Sequence, residues 1–284
     1  IDPAKVPANI AKNSGINTII DFFGSNIEKK ILKEYGYADF ITSHNVLAHI
    51  DDIDDVFKTA FNILKYNGYF TFEVGYFLKV LNNNFFDTIY HEHLDYHHAR
   101  PLAKYLKTIG FSIVKVSTNN IQGGSIRFMC KKENKPKIYK NVQNFIDKEM
   151  NTILYDKKYI NNWESEIRLT MKKFKNLVVQ KKTVRHKIIG YGAPTKATLL
   201  LKMSKINPDV IDYIIEDNIL KVSRYLPKTK IKIESNMSLN KDKPDLIIIF
   251  SWNFADDIIT NIKKIIKKPT DLIVPLPNPR IIKI

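Results

Sequence analysis

Apolar and polar positions change period along this chain, and the changes mark out its elements. The stretch "INTIIDFF" (16–23) is β-branched and apolar, so a buried strand is expected there. "SNIEKKILKEYG" (25–36) has helical spacing, with Ser25 as N-cap and Gly36 as C-cap. "ADFITSHNVL" (38–47) is the next expected strand. "DDIDDVFKTAFNILKYNG" (51–68) predicts an amphipathic helix. Acids fill its first turn, where they favour the positive dipole end, and Val56, Phe57, Ala60, Phe61 and Leu64 form one stripe. "GYFTFEVGYF" (68–77) predicts a strand, then a loop, then a helix over 100–110. "FSIVKVST" and "SIRFMCKK" follow as two strands joined by "NNIQGG", a close pair that predicts a hairpin. Residues 136–182 contain no Gly and carry apolar residues near a 3.6 period, so one or two long connecting helices are expected. "HKIIGYGAPTKATLLLKM" (186–203) predicts strand, turn and helix. Strands are expected in 210–218, 244–253 and 271–277, with a helix over 255–268. Alternation of this kind predicts two α/β units with parallel sheets, joined by a helical bridge.

The 284 residues support a two-domain expectation, and 44% hydrophobic with 26% charged residues is an ordinary globular balance. No run of uncharged apolar residues is long enough for a transmembrane helix, and the start lacks a signal peptide's basic and apolar regions. One cysteine, Cys130, leaves neither an intrachain disulfide nor a Cys-based zinc site, which fits a cytoplasmic setting. The net charge of +16 suits either phosphate neutralisation on nucleic acid or a Lys-rich soluble surface. Lys is scattered, with no dense basic run interleaved with aromatics, so the second reading is preferred and no nucleic-acid partner is expected.

Four of the seven His residues fall in "YHEHLDYHH" (90–98). In an open parallel sheet, ligands sit beyond the carboxyl ends of the strands. Asp2, "SHN" (43–45), His49, the His-rich loop and "GYGAPTK" (190–196) all fall at such ends. In "GYGAPTK" the glycines allow a turn and close approach. The following helix N-terminus and Lys196 suit a phosphate, though a plain strand–helix turn explains the pattern equally well. Three readings of the His cluster are open. A metal site lacks a second group with ligand spacing. A solvated polar loop is ordinary after a strand. Acid–base catalysis suits a His that titrates near neutrality, beside a Glu that sets its tautomer and a Tyr that donates to an oxyanion.

"YHEHLDY" after "FEV", followed in order by "GYGAPTKATLLL", "EDNILKVSRYLP", "PDLIIIFSWNFADDI" and "LIVPLPNP", resembles the bacterial sugar-nucleotide C-methyltransferases. The resemblance covers essentially the whole chain. It implies an incomplete class I methyltransferase (Rossmann-like) domain over 1–135, a helical linker over 136–182, and a second Rossmann-like α/β domain, the C-terminal C-methyltransferase domain, over 183–284. The family's N-terminal zinc-binding domain has no counterpart, so zinc is expected only in that absent part. Nor has the first strand with its Gly-rich cofactor turn, which leaves open a fragment or a truncated, inactive binding remnant. Ala197 stands where the family commonly has Gly.

The resemblance implies S-adenosylmethionine-dependent C-methylation of a keto-deoxysugar nucleotide through an enolate. In this reading His93 is the base, Glu92 supports it, Tyr90 lies near the keto oxygen and His49 lines the site. Asp2 and Asn45 are the implied cofactor contacts. Gly190, Gly192, Lys196, Asn218, Lys221, Trp252 and Asn253 are the implied substrate contacts, with plain core packing the competing role for Trp252. His97 and His98 have no assigned role. A methyltransferase acting on sugar oxygen or nitrogen is the alternative within enzymes.

Overall fold

A computed structural model describes residues 1–181 and 187–284. The expected start of a strand at His186 and the expected domain boundary at 183 lie outside the described residues. Contacts divide the chain into two units, one of residues 1–79 and 91–155, the other of residues 80–90 and 156–284.

The first unit opens with α1 (Lys5–Asn13) and α2 (Ser25–Tyr35). Then come β1 (Ala38–His44), α3 (Ile53–Ile63) and β2 (Leu64–Gly75). Helix α4 (Phe77–Asn82) leads out of it. After the chain returns, α5 (Ala99–Ile109), β3 (Phe111–Asn119), β4 (Ser125–Lys132) and α6 (Lys140–Met150) complete it. The sheet order is β1-β2-β4-β3. β1 and β2 are parallel, and β2–β4 and β4–β3 are antiparallel, so the expected hairpin forms. Both faces of β2 are buried: Phe70, Phe72 and Val74 on one, Thr71 and Glu73 on the other. Phe72 and Phe128 stack at 5.0 Å, and burying each ring is worth roughly 1.5–3 kcal/mol.

Three expectations differ here. Residues 16–23 form no strand. Ile19 and Phe23 instead pack against Ile27, Ile31 and Ile63, so the apolar run serves as a cover over α2 rather than a ladder. Helix α3 stops at Ile63, not Gly68, because Leu64 is already extended and Asn67 turns left-handed at φ 66. Ser25 is the first residue of α2 rather than its cap; its N–H donates to Asp55 Oδ2 at 2.9 Å. Gly36 does end α2, at φ 73.

The second unit begins its long run with α7 (Lys157–Lys181). β5 (Ile188–Tyr191), α8 (Thr195–Ser204), β6 (Tyr213–Ile215) and β7 (Lys232–Glu234) follow. Then come α9 (Met237–Asp242), β8 (Leu246–Ile249), α10 (Ala255–Ile265), β9 (Asp271–Val274) and β10 (Arg280–Lys283). The order β10-β9-β8-β5-β6-β7 is parallel throughout except for antiparallel β10. β5 and β8 lie inside this sheet and are apolar on both faces, as buried parallel strands must be. Both sheets are α/β and Rossmann-like. No helix among the described residues is long and apolar enough to cross a membrane.

Candidate active site and family

In the first unit, the chain leaves β1 through Asn45. This residue turns left-handed at φ 53, and its N–H donates to Glu73 O on β2 at 2.8 Å. A short turn (Leu47–His49) follows, pinned by buried Leu47. Two hydrogen bonds join this turn to the His-rich segment. Leu94 N–H donates to Ala48 O at 2.8 Å, and His49 Nδ1 lies 2.7 Å from Glu92 O. A carbonyl oxygen only accepts, so His49 Nδ1 is the donor in this contact. The rings of His49 and His93 are 4.9 Å apart, and Tyr96 stands edge-on to His93 at 6.3 Å. Thus two residues distant in sequence, His49 and His93, are adjacent imidazoles beyond the ends of β1 and β2.

Glu92 contributes its backbone carbonyl to His49, whereas its carboxylate lies 3.8 Å from His91 Nε2 at the surface. Tyr90 is half-buried and clusters with the second unit. Asp2 Oδ1 accepts Ala4 N–H at 2.8 Å, and Asp2 N–H donates to Ile19 O at 3.0 Å. Among the described residues no group of three or more His, Cys, Asp or Glu side chains is arranged to hold a metal.

His97 and His98 sit in different surroundings. His97 is buried, its Nε2 has no hydrogen-bond partner among the described residues, and burial holds its pKa below the usual His value. It is neutral at pH 7. His98 Nδ1 lies 3.1 Å from Glu149 Oε2. Glu149 also accepts from Tyr76 Oη at 2.9 Å and from the N–H groups of Ala99 (2.8 Å) and Arg100 (3.1 Å), so it caps α5 from another helix. Burial alone would raise the pKa of Glu149, but these hydrogen bonds outweigh it and hold the carboxyl below its ordinary value.

In the second unit, β5 runs into the Gly-containing turn. A side chain at Gly190 would meet Ile214 at 2.7 Å and Phe250 at 2.8 Å, and one at Gly192 (φ +82) would meet Ser251 Oγ at 2.0 Å. The turn is held at both polar backbone groups of Ala193. Ala193 N–H donates to Glu216 Oε2 at 2.9 Å, and Lys221 Nζ donates to Ala193 O at 3.0 Å. Glu216 Oε1 also accepts from the N–H groups of Asp217 (3.0 Å) and Asn218 (3.1 Å). The Asn218 side chain accepts Leu220 N–H at 3.0 Å, closing a local turn. Helix α8 starts after Pro194 with no side-chain cap, which leaves first-turn N–H groups for a ligand or water.

Lys196 points inward. Its Nζ donates to Asn253 Oδ1 at 2.8 Å, lies 3.4 Å from Asp87 Oδ2 and sits 4.2 Å from the centre of the Trp252 ring. Trp252 Nε1 donates to Asp87 Oδ2 at 2.6 Å. Lys196, Trp252 and Asn253 therefore come together, around a carboxylate absent from the expected set. Burial raises the Asp87 pKa and lowers that of Lys196, each partly offset by the other's charge. In sequence Asp87 was one acid in a loop; only its flanking aromatics, "FFDTIY", hinted at burial.

The C-methyltransferase C-terminal domain family matches residues 120–277, and the methyltransferase domain family matches residues 1–116. The chain belongs to the C-methyltransferase family. It is a methyltransferase. The curated C-methyltransferase NovU of Streptomyces niveus is 29% identical over 99% of this chain and 67% of its own length. Among solved structures, phosphoethanolamine N-methyltransferase 1 of Haemonchus contortus, bound to phosphoethanolamine and S-adenosylhomocysteine, covers 94% of this chain and 67% of itself, with 12% identity and TM-score 0.27. The second such enzyme of that organism covers 86% and 61%, with 9% identity and TM-score 0.24. At those scores neither structure adds to the fold argument.

Proposed function

We propose that the protein methylates a carbon beside the ketone of a keto-deoxysugar nucleotide, using S-adenosylmethionine, with a His-centred base forming the enolate. The observation that carries this reading is the His49–His93 pair, two imidazoles 4.9 Å apart beyond the strand ends of a C-methyltransferase-family chain. Carbon is a poor nucleophile until a neighbouring proton leaves, so carbon methylation needs a base, whereas methylation of oxygen or nitrogen does not need one at carbon.

His93 removes the proton α to the carbonyl. His49, its Nδ1–H donating to Glu92 O, is the next acceptor in reach of His93 and stabilises the imidazolium that forms. Tyr90 is the proposed donor to the enolate oxygen. The segment's polar backbone is tied down by Leu94 and Ala48, which limits the number of orientations His93 samples. S-adenosylmethionine, when bound, supplies a sulfonium methyl to the carbanionic carbon. Asp2 suits its ribose: Oδ1 is engaged by Ala4, while Oδ2 makes no hydrogen bond among the described residues. Asn45, half-buried at the end of β1, is the second proposed contact. In the other unit the uncapped first turn of α8 with Gly190 and Gly192 is proposed for the nucleotide-sugar, with Lys196, Lys221, Asn218, Trp252 and Asn253 shaping that surface. The proposed domain limits remain 1–135, 136–182 and 183–284.

The test is exchange of the sugar's α-proton with deuterated water. His93→Ala is expected to lower exchange by about 100-fold or more while calorimetric cofactor affinity is retained. Exchange that survives this change would assign the base elsewhere.

A further inference from the structure

Within the first unit the His-rich segment is tied at two places. Leu94 N–H donates to Ala48 O at 2.8 Å, and His49 Nδ1 donates to Glu92 O at 2.7 Å. Further on, His97 bridges Tyr76 in a parallel pairing, and Phe77 N–H donates to His97 O at 2.9 Å. Helix α5 then begins, with Ala99 N–H held by the buried Glu149 carboxylate at 2.8 Å. Tyr96 is the residue just before the second tie. Its ring lies 5.6 Å from that of Phe77, which opens α4, and 6.3 Å from that of His93, the latter two planes meeting at 80°. His93 lies 4.9 Å from His49. Phe77, Tyr96, His93 and His49 thus form one series of ring contacts, and all four belong to the same unit.

A tied backbone does not by itself fix an imidazole, because the torsion that turns a His ring is broad and roughly two-fold. Contacts must set the plane. Of the two rings that touch His93, that of His49 is itself exposed. The ring of Tyr96 instead packs on Phe77, whose N–H is bonded beside the end of β2. Tyr96 is only half-buried, so filling the core does not account for an aromatic there. Near-perpendicular ring pairs are a favoured geometry, and one that specifies an angle as well as a distance.

We infer that Tyr96 is a positioning residue: its ring, seated on Phe77, sets the plane of the His93 imidazole beside His49. The ring carries the role, so Phe at this position does the same and an aliphatic side chain does not. The catalytic consequence rests on the proposed proton abstraction; the effect on the imidazole does not.

The full chain is compared with Y96F, Y96L and F77L, with the His93 ring resonances assigned by His93→Gln. A nuclear Overhauser contact between the ring of residue 96 and that of His93 is expected in the wild type and in Y96F. F77L removes the seat of Tyr96 without touching His93, and is expected to move the His93 ring resonances. With a thymidine diphosphate keto-deoxyhexose, Y96L is expected to slow α-proton exchange by about 10–100-fold with KM changed by less than about twofold, and Y96F to stay within about threefold of the wild type. A role in stability alone would lower the urea midpoint of Y96L and leave exchange per folded molecule unchanged, which overturns the inference. So does Y96F losing as much exchange as Y96L at native circular dichroism, because the hydroxyl would then carry the role. Absence of the ring contact in the wild type, or unmoved His93 resonances in F77L, overturns it as well. Should Y96L not fold, F77L carries the exchange comparison. If the wild type exchanges no α-proton yet F77L still moves the His93 resonances, the positioning role stands and the proton-abstraction reading fails.

Discussion

At the scale of single residues, the chain's histidines divide by what surrounds them. His49 is oriented by a carbonyl, His93 stands beside it, His97 is buried neutral, and His98 is tied to Glu149. The sequence showed the cluster but not this division, because the deciding partners lie far away: Glu92 O for His49 across 43 positions, Glu149 for His98 across 51. Glu149 was invisible for the same reason. It reads as one more acid on an amphipathic helix, yet it is 2% exposed and accepts four hydrogen bonds. Glu149→Gln keeps the shape but loses the charge that Ala99 and Arg100 N–H groups favour, and a loss of about 1–3 kcal/mol is expected near neutral pH. Because the folded-state pKa lies below the unfolded one, this stabilisation is complete above about pH 4.5 and fades as pH falls through the lowered folded value. Urea midpoints of wild type and Glu149→Gln should therefore differ at pH 6 and converge toward pH 3. A gap that stays constant over that range would mean that the charge contributes nothing.

At the scale of elements, the legible parts were those whose cause is local. The 3.6 period of α3, the β3–β4 hairpin and the Gly-containing turn after β5 all appear where their patterns put them. The misread strand at 16–23 shows the limit. β-branched content describes a residue's fit to a buried extended surface, but a strand also needs a neighbouring edge, and Ile19 and Phe23 found a helix face to cover instead. Strands β7 and β10 were missed because three- and four-residue strands carry too few positions for a period to show. The turn after β5 was legible as a turn, and the structure gives its second glycine a specific reason. Gly192→Ala places a methyl group on Ser251 at a φ of +82. The left-handed strain and the overlap together are expected to cost about 2–4 kcal/mol, read from guanidinium denaturation. Gly192→Ala combined with Ser251→Gly removes the overlap and should recover part of that loss, leaving the backbone term. A Gly192→Ala protein as stable as wild type would show that the turn is not constrained by the 251–253 loop.

At the scale of the whole chain, the +16 charge remains the largest feature that the proposed chemistry does not use. Its distribution decides its meaning. Lys58, Lys65, Lys187, Lys232 and Lys268 are each paired with an acid, namely Asp54, Asp39, Asp242, Glu234 and Asp245. These pairs occur in both units, so positive charge is partly neutralised locally and dispersed. Exposed pairs of this kind contribute little stability. A nucleic-acid groove needs several unpaired Lys or Arg side chains in a row, and its affinity then falls steeply as salt displaces released counterions. A small phosphorylated ligand engages few charges and loses little between 50 and 200 mM salt. Titrating the protein with a single-stranded RNA of about 20 nucleotides should give a dissociation constant weaker than roughly 10 µM at 150 mM salt, the non-specific regime. A nucleoside diphosphate sugar should bind with a much shallower salt slope. If RNA instead bound below 1 µM at that salt with a slope reporting six or more phosphate contacts, the dispersed lysines would have to converge on a surface that these pairings do not show, and the small-molecule assignment of this charge would be overturned.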